Sequence, residues 1–81
     1  MNDQWVETDN TLTKTFKFSG FLNAINWMQE ASILIDKENH HPEWTNVYNK
    51  VIVKLTTHDA GNKVTDKDRR LSILLDAIPI K

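Results

Sequence analysis

Asn39-His40-His41-Pro42-Glu43-Trp44-Thr45-Asn46-Val47-Tyr48-Asn49-Lys50-Val51-Ile52-Val53-Lys54-Leu55-Thr56-Thr57-His58-Asp59 is the stretch that decides how this chain folds. All three histidines lie in it, two at one end and one at the other. Between them the period is two. Trp44, Asn46 and Tyr48 alternate with Thr45 and Val47, then Val51, Val53 and Leu55 with Ile52, Lys54 and Thr56. Such alternation, rich in β-branched and aromatic residues, predicts two strands that each bury one face. Asn49-Lys50 is the expected two-residue reversal, a weaker signal than Asn-Gly. Folding the run there returns His58 to His40 and His41.

Upstream, Phe21, Ala24, Ile25, Met28, Ala31 and Ile35 recur at three- and four-residue spacings, which predicts a helix with one apolar stripe. Trp27 and Leu34 widen the stripe, enough to cover a neighbouring subunit. Ser19 is the expected N-cap, and Pro42 requires the helix to end by Asn39. Earlier still, residues 5–8 and 12–18 flank the turn-forming pair Asp9-Asn10 and read as a β-hairpin. Leu12, Phe16 and Phe18 face the core in this reading, and Lys14 shares their side, tolerable near a sheet edge. Downstream, Ala60-Gly61-Asn62-Lys63 is a loop in which Gly61 takes a positive φ. Thr65 to Asp68 fits a capping box, and Leu71, Leu74, Leu75 and Ile78 follow at helical spacing as far as Pro79. The order β-β-α-β-β-α makes an α+β fold. Its simplest packing is a four-stranded antiparallel sheet with two helices on one face, one domain over residues 1–81.

The chain is short, 81 residues, so oligomerisation would add stability to a small core. A hydrophobic content of 40% with three Trp and three Phe is enough for a compact core and argues against disorder. Net charge is −1 with signs mixed, so no basic stripe is offered to phosphates, and nucleic acid is not an expected partner. Cysteine is absent, which removes disulfides and thiolate chemistry. No apolar run approaches a membrane span, and Met1 to Trp5 carries no signal-peptide pattern. A cytoplasmic protein with no membrane partner is expected.

Candidate chemistry concentrates at the histidines. Imidazole, with an unperturbed pKa of about 6.5, exchanges protons near neutrality. Three of them converging with Asp59 beside Trp44 can be surface turn residues, a metal site or an acid–base site. Zinc or iron could be ligated by three histidines and Asp59. Adjacent histidines seldom aim at one ion, however, and no His-x-x-x-His pair is present. Asp68 reads first as the far half of the capping box, and Trp44 as a core aromatic.

The run His40-His41-Pro42-Glu43-Trp44, with Asn46-Val47-Tyr48-Asn49-Lys50-Val51, Leu55 and Thr57-His58-Asp59, closely resembles the pterin-4a-carbinolamine dehydratases. These are also known as dimerisation cofactors of a hepatocyte nuclear factor. Trp5 and Phe16-Lys17-Phe18 match the family's first hairpin, and Gly61, Thr65 and Asp68 match the loop and helix beyond the third histidine. The resemblance implies dehydration of 4a-hydroxytetrahydropterin to quinonoid dihydropterin, which recycles tetrahydrobiopterin alongside an aromatic amino-acid hydroxylase. It implies His40 and His58 as the proton-transfer pair, with His41 holding and polarising the substrate and sharing proton transfer. Pro42 and the segment Thr57, His58, Asp59 and Ala60 would border the pterin, Trp44 would pack nearby, and Asp68 would orient a histidine. No metal or redox cofactor is required by this chemistry. A homodimer or homotetramer is implied. So is an alternative, a non-catalytic oligomerising accessory protein of the same fold. Where the family often has Gly-Gly after the third histidine, this chain has Gly61-Asn62-Lys63-Val64, one residue longer.

Overall fold

The structure, a computed structural model, describes residues 4–80. Strands β1 (Val6–Thr8) and β2 (Thr11–Lys17) precede helix α1 (Phe21–Glu38), and β3 (Glu43–Val47) and β4 (Lys50–Leu55) precede helix α2 (Asp66–Asp76). The four strands form one antiparallel sheet in the order β1-β2-β4-β3. The two strands distant in sequence therefore meet at its centre, with Leu12 opposite Leu55 and Phe16 opposite Val51. Both helices pack on the face that carries these residues, as the α+β reading requires.

Local chemistry explains the turns. Asp9 and Asn10 both have positive φ, 51° and 62°, the conformation of the hairpin turn that follows strand twist. The second reversal falls on Tyr48-Asn49, one residue before the expected Asn49-Lys50, and Lys50 already pairs with Val47. Asn46 explains the shift, because its amide donates to the carbonyls of Tyr48 and Lys50, at 3.1 and 2.9 Å. Asn49 adds to it by donating from its side chain to the Phe18 carbonyl while its own carbonyl accepts from the Phe18 amide. These bonds hold Tyr48 at a φ of 51°, which its bulky side chain would not choose unaided.

Helix α1 is capped at Gly20 in extended backbone, with no side-chain hydrogen bond, so Ser19 is not the N-cap. Its end agrees with the reading from Pro42, since Asn39 takes a left-handed conformation and its amide donates to the Asp36 carbonyl. The buried stripe is Ala24, Trp27, Ala31 and Ile35, rotated from the one expected. Ile25, Met28 and Leu34 are only half-buried, and Phe21 in the first turn is exposed. Trp27 does not await a neighbouring subunit. It is 3% exposed, with its ring 4.4 Å from Phe16, 5.6 Å from Phe18 and 6.5 Å from Trp44 between centroids. Large aromatics give a helix–sheet interface its greatest apolar burial, so the sheet draws Trp27 inward.

Lys14 faces the core side from an interior strand, not from a sheet edge. Its ammonium reaches Asp76 at the end of α2, 2.6 Å away, and lies 4.6 Å from the Phe16 ring centroid. The aliphatic stem covers apolar surface while the charge finds a carboxylate and a ring face. Asp76 also accepts from the Trp5 indole at 3.1 Å, which ties the first hairpin to the last helix.

Candidate active site

The inward alternation of β4, Val51, Val53 and Leu55, runs one step past the strand to Thr57, which is buried as well. Its hydroxyl donates to Asp68 Oδ2 at 2.7 Å. Asp68 reaches this position because Thr65 starts α2. Asp68 Oδ2 accepts from the Thr65 amide at 2.9 Å, and the Thr65 hydroxyl accepts from the Lys67 amide at 3.3 Å. The capping box thus places a carboxylate in the protein interior with one oxygen still free. Replacing Thr65 with Ala should lower stability by about 1 kcal/mol, seen as a lower urea midpoint with an unchanged slope.

That free oxygen meets His40. Asn39 turns the chain out of α1, and His40 Nε2 lies 2.6 Å from Asp68 Oδ1. Asp68 is fully buried, and His40 keeps 13% of its side chain exposed. Burial pushes the Asp68 carboxyl up, but hydrogen bonds from His40, Thr57 and the Thr65 amide outweigh it and hold the group below its ordinary value. Asp68 is therefore a carboxylate at neutral pH. An ionised carboxylate only accepts, so His40 donates through Nε2, and its Nδ1 makes no hydrogen bond among the described residues.

His58 opens a single 3₁₀ turn, His58–Ala60, closed by Gly61 at a φ of 78°. It is exposed, and its Nδ1 lies 2.7 Å from Asn62 Oδ1. His41 is 60% exposed, with Nε2 3.5 Å from Asp36 Oδ1 at the end of α1. All three imidazoles border one cleft of about 180 Å³, with Thr57, Asp59 and Lys67 among its other walls. His41 and His58 also border an adjoining cleft of about 240 Å³ on the side of Glu43 and Lys54. Pro42 and Trp44 lie elsewhere, on an open groove of about 410 Å³ between α1 and β3 that His41 shares. Ala60 is exposed on the 3₁₀ turn. Asp68 sits beneath His40, not on the cleft wall.

Sequence reasoning passed over Lys67 and Asn62. Lys67 reads as one more charge on a solvated helix face, and only the meeting of α2 with the β3 approach brings it to the cleft. Asn62 carried a signal, since it stands in the lengthened loop four residues after His58. Among the described residues no three His, Cys, Asp or Glu side chains stand close enough together to hold one metal ion. No described helix is long and apolar enough to cross a membrane.

Comparison with known proteins bears on the family and the fold. The family described as Pterin 4 alpha carbinolamine dehydratase matches residues 1–78. A Prochlorococcus marinus strain NATL2A protein, named provisionally as such a dehydratase, is 40% identical over 95% of this chain and 80% of its own length. An Opitutus terrae protein with the same provisional name is 47% identical over 84% of this chain and 70% of its own. Among solved structures, a Brucella melitensis protein described as a transcriptional coactivator/pterin dehydratase superposes with a TM-score of 0.86 at 39% identity. It covers 95% of this chain and 83% of its own. A pterin dehydratase-like protein identified as a RuBisCO assembly factor in the alpha-carboxysome shares the fold, with a TM-score of 0.75 at 16% identity. With its fold, its paired histidines and a family match over almost its entire length, the chain belongs to the pterin-4-alpha-carbinolamine dehydratase family.

Proposed function

We propose that this chain dehydrates a 4a-hydroxytetrahydropterin to the quinonoid dihydropterin by histidine acid–base catalysis. The single observation that carries the proposal is the His40–Asp68 pair facing His58 across one cleft. The reaction breaks the C4a–O bond and removes the proton from N5, so that a C4a=N5 bond forms and water leaves. Hydroxide is a poor leaving group, so an imidazolium must deliver a proton to the 4a oxygen. A neutral imidazole accepts the N5 proton. The Asp68 carboxylate stabilises positive charge as it arrives on His40, and the exposure of His58 lets protons return from solvent. His41, which borders both the cleft and the groove of Pro42 and Trp44, would hold the pterin, with Thr57, His58 and Asp59 along the cleft wall.

The same reading makes the protein a cytoplasmic homodimer or homotetramer, one domain, recycling tetrahydrobiopterin beside an aromatic amino-acid hydroxylase. The test is direct. Synthetic carbinolamine pterin mixed with the chain should lose water at a rate proportional to chain concentration, followed by absorbance in a stopped-flow cell. A rate equal to the spontaneous one at every concentration sinks the proposal.

A second reading, a non-catalytic accessory protein, draws on the exposed apolar residues Leu22 and Ile33 of α1, 70% and 74% accessible. It needs that helix face and not the imidazoles. Turnover above background decides for the first reading.

A further inference from the structure

The two proton-transfer candidates are held differently. His40 leans on a buried carboxylate, whereas His58 leans on a neutral amide from the loop that follows it. That loop is a closed ring. The Thr57 carbonyl accepts from the amides of Ala60, Asn62 and Lys63, at 3.2, 3.1 and 3.3 Å, and the Thr57 amide donates to the Lys63 carbonyl at 2.9 Å. The Thr57 side chain is in turn fixed to Asp68 and to the Thr65 hydroxyl. Asn62 sits in this ring at a φ of 59°, a conformation Asn accepts more readily than most residues. Its side chain thus projects from backbone that cannot drift, and it supplies the one side-chain hydrogen bond to His58 among the described residues.

From this geometry we infer that Asn62 is a positioning residue: it holds His58 as the Nδ1–H tautomer, so that Nε2 is the nitrogen that exchanges a proton with substrate. The inference rests on the dehydratase reading and adds to it which atom of His58 acts. The amide oxygen accepts from Nδ1–H, and a neutral imidazole has one N–H, so the other nitrogen carries the free lone pair. Asn62 acts on the ring through a single uncharged acceptor oxygen, which sets the tautomer and the ring angle. Other titratable groups do face the ring. His40, His41, Asp59 and Lys67 border the shared cleft, and Asp9, Glu43 and Lys54 border the adjoining one. They are common to every variant below, so differences between variants report position 62.

Asn62→Gly removes the amide while keeping a residue at ease with positive φ, and Asn62→Asp keeps an acceptor but adds charge. In the free wild-type protein, ¹⁵N spectra of the imidazoles should show His58 as the Nδ1–H tautomer above its titration. In Asn62→Gly the tautomers should mix, kcat should fall about tenfold, a part of what a placed acid or base contributes, and KM should move less than twofold. In Asn62→Asp turnover should return to within about threefold of wild type. The limb of the pH profile set by His58 should then move to higher pH, because an adjacent carboxylate favours imidazolium. A wild-type protein showing Nε2–H at His58 overturns the inference, as does unchanged turnover and pH profile in Asn62→Gly. Undiminished turnover in that variant, with wild-type dehydration intact, overturns the inference alone. No turnover in the wild-type chain overturns the dehydratase reading and this inference together.

Discussion

Alanine at His40 or at His58 is expected to slow carbinolamine dehydration by about 10²- to 10⁴-fold, the contribution of a placed general acid or base. The two losses should not add. Each proton transfer is useful only with its counterpart, so the double variant should be little slower than the worse single one. His58 is exposed, and His58→Ala should fold as the parent does. His40→Ala is less innocent, because it strips the fully buried Asp68 of a partner. His40→Gln offers an amide that can still donate towards Asp68 but cannot carry a proton, so it separates catalysis from support. A fold intact by circular dichroism with turnover lost is the expected result. Rates unchanged in both the His40 and His58 variants would remove the enzymatic reading. His41→Ala should instead raise KM more than it lowers kcat, in keeping with a holding role.

The second large effect is on stability, at Asp68. Asp68→Ala leaves His40, the Thr57 hydroxyl and the Thr65 amide without their shared acceptor in a buried place. Breaking such a network by deleting one member costs about 3–5 kcal/mol, a large share of what a chain this size has. Asp68→Asn keeps the shape and part of the bonding, and should cost about 2 kcal/mol at pH 7. The pH dependence follows from the sign of the shift. The carboxyl is held below its ordinary value of 3.8 in the folded state, so the unfolded chain binds that proton more readily. The stabilisation is complete above the ordinary value and is lost as pH falls through it towards the lowered one. Urea unfolding of wild type should weaken over that acidic window, and Asp68→Asn should lose that part of the slope. An equal acid slope in both proteins would show that Asp68 is not the responsible group.

Periodicity made most of the fold legible. Val51, Val53 and Leu55 alternate as a half-buried strand must, and Asp9-Asn10 names its own turn. The departures share a cause, which is partners distant in sequence. Tyr48 takes the turn because Asn46 and Asn49 bond backbone groups around it, and one of those groups belongs to Phe18. Trp27 is core because Phe16 and Phe18 lie beneath it, which a helical wheel drawn from α1 alone does not contain. At the site, the histidines and Asp68 were visible as residue types at telling positions. Their division of labour was not. The 2.6 Å contact from His40 to Asp68 spans two elements, and the separation of Pro42 and Trp44 from the three-histidine cleft depends on how β3 leaves α1.

The central pairing of β2 with β4 bears on how the protein is made. A nascent chain leaving the ribosome carries the first hairpin and α1 well before β4 exists, so β2 waits with an unpaired edge and an uncovered row of Leu12, Phe16 and Phe18. Strands in that condition seek substitutes in other chains. Synthesis that stalls before Val51 should therefore yield sticky fragments, and the three-histidine cleft, with Lys67 in its wall, comes into being only when the final helix docks.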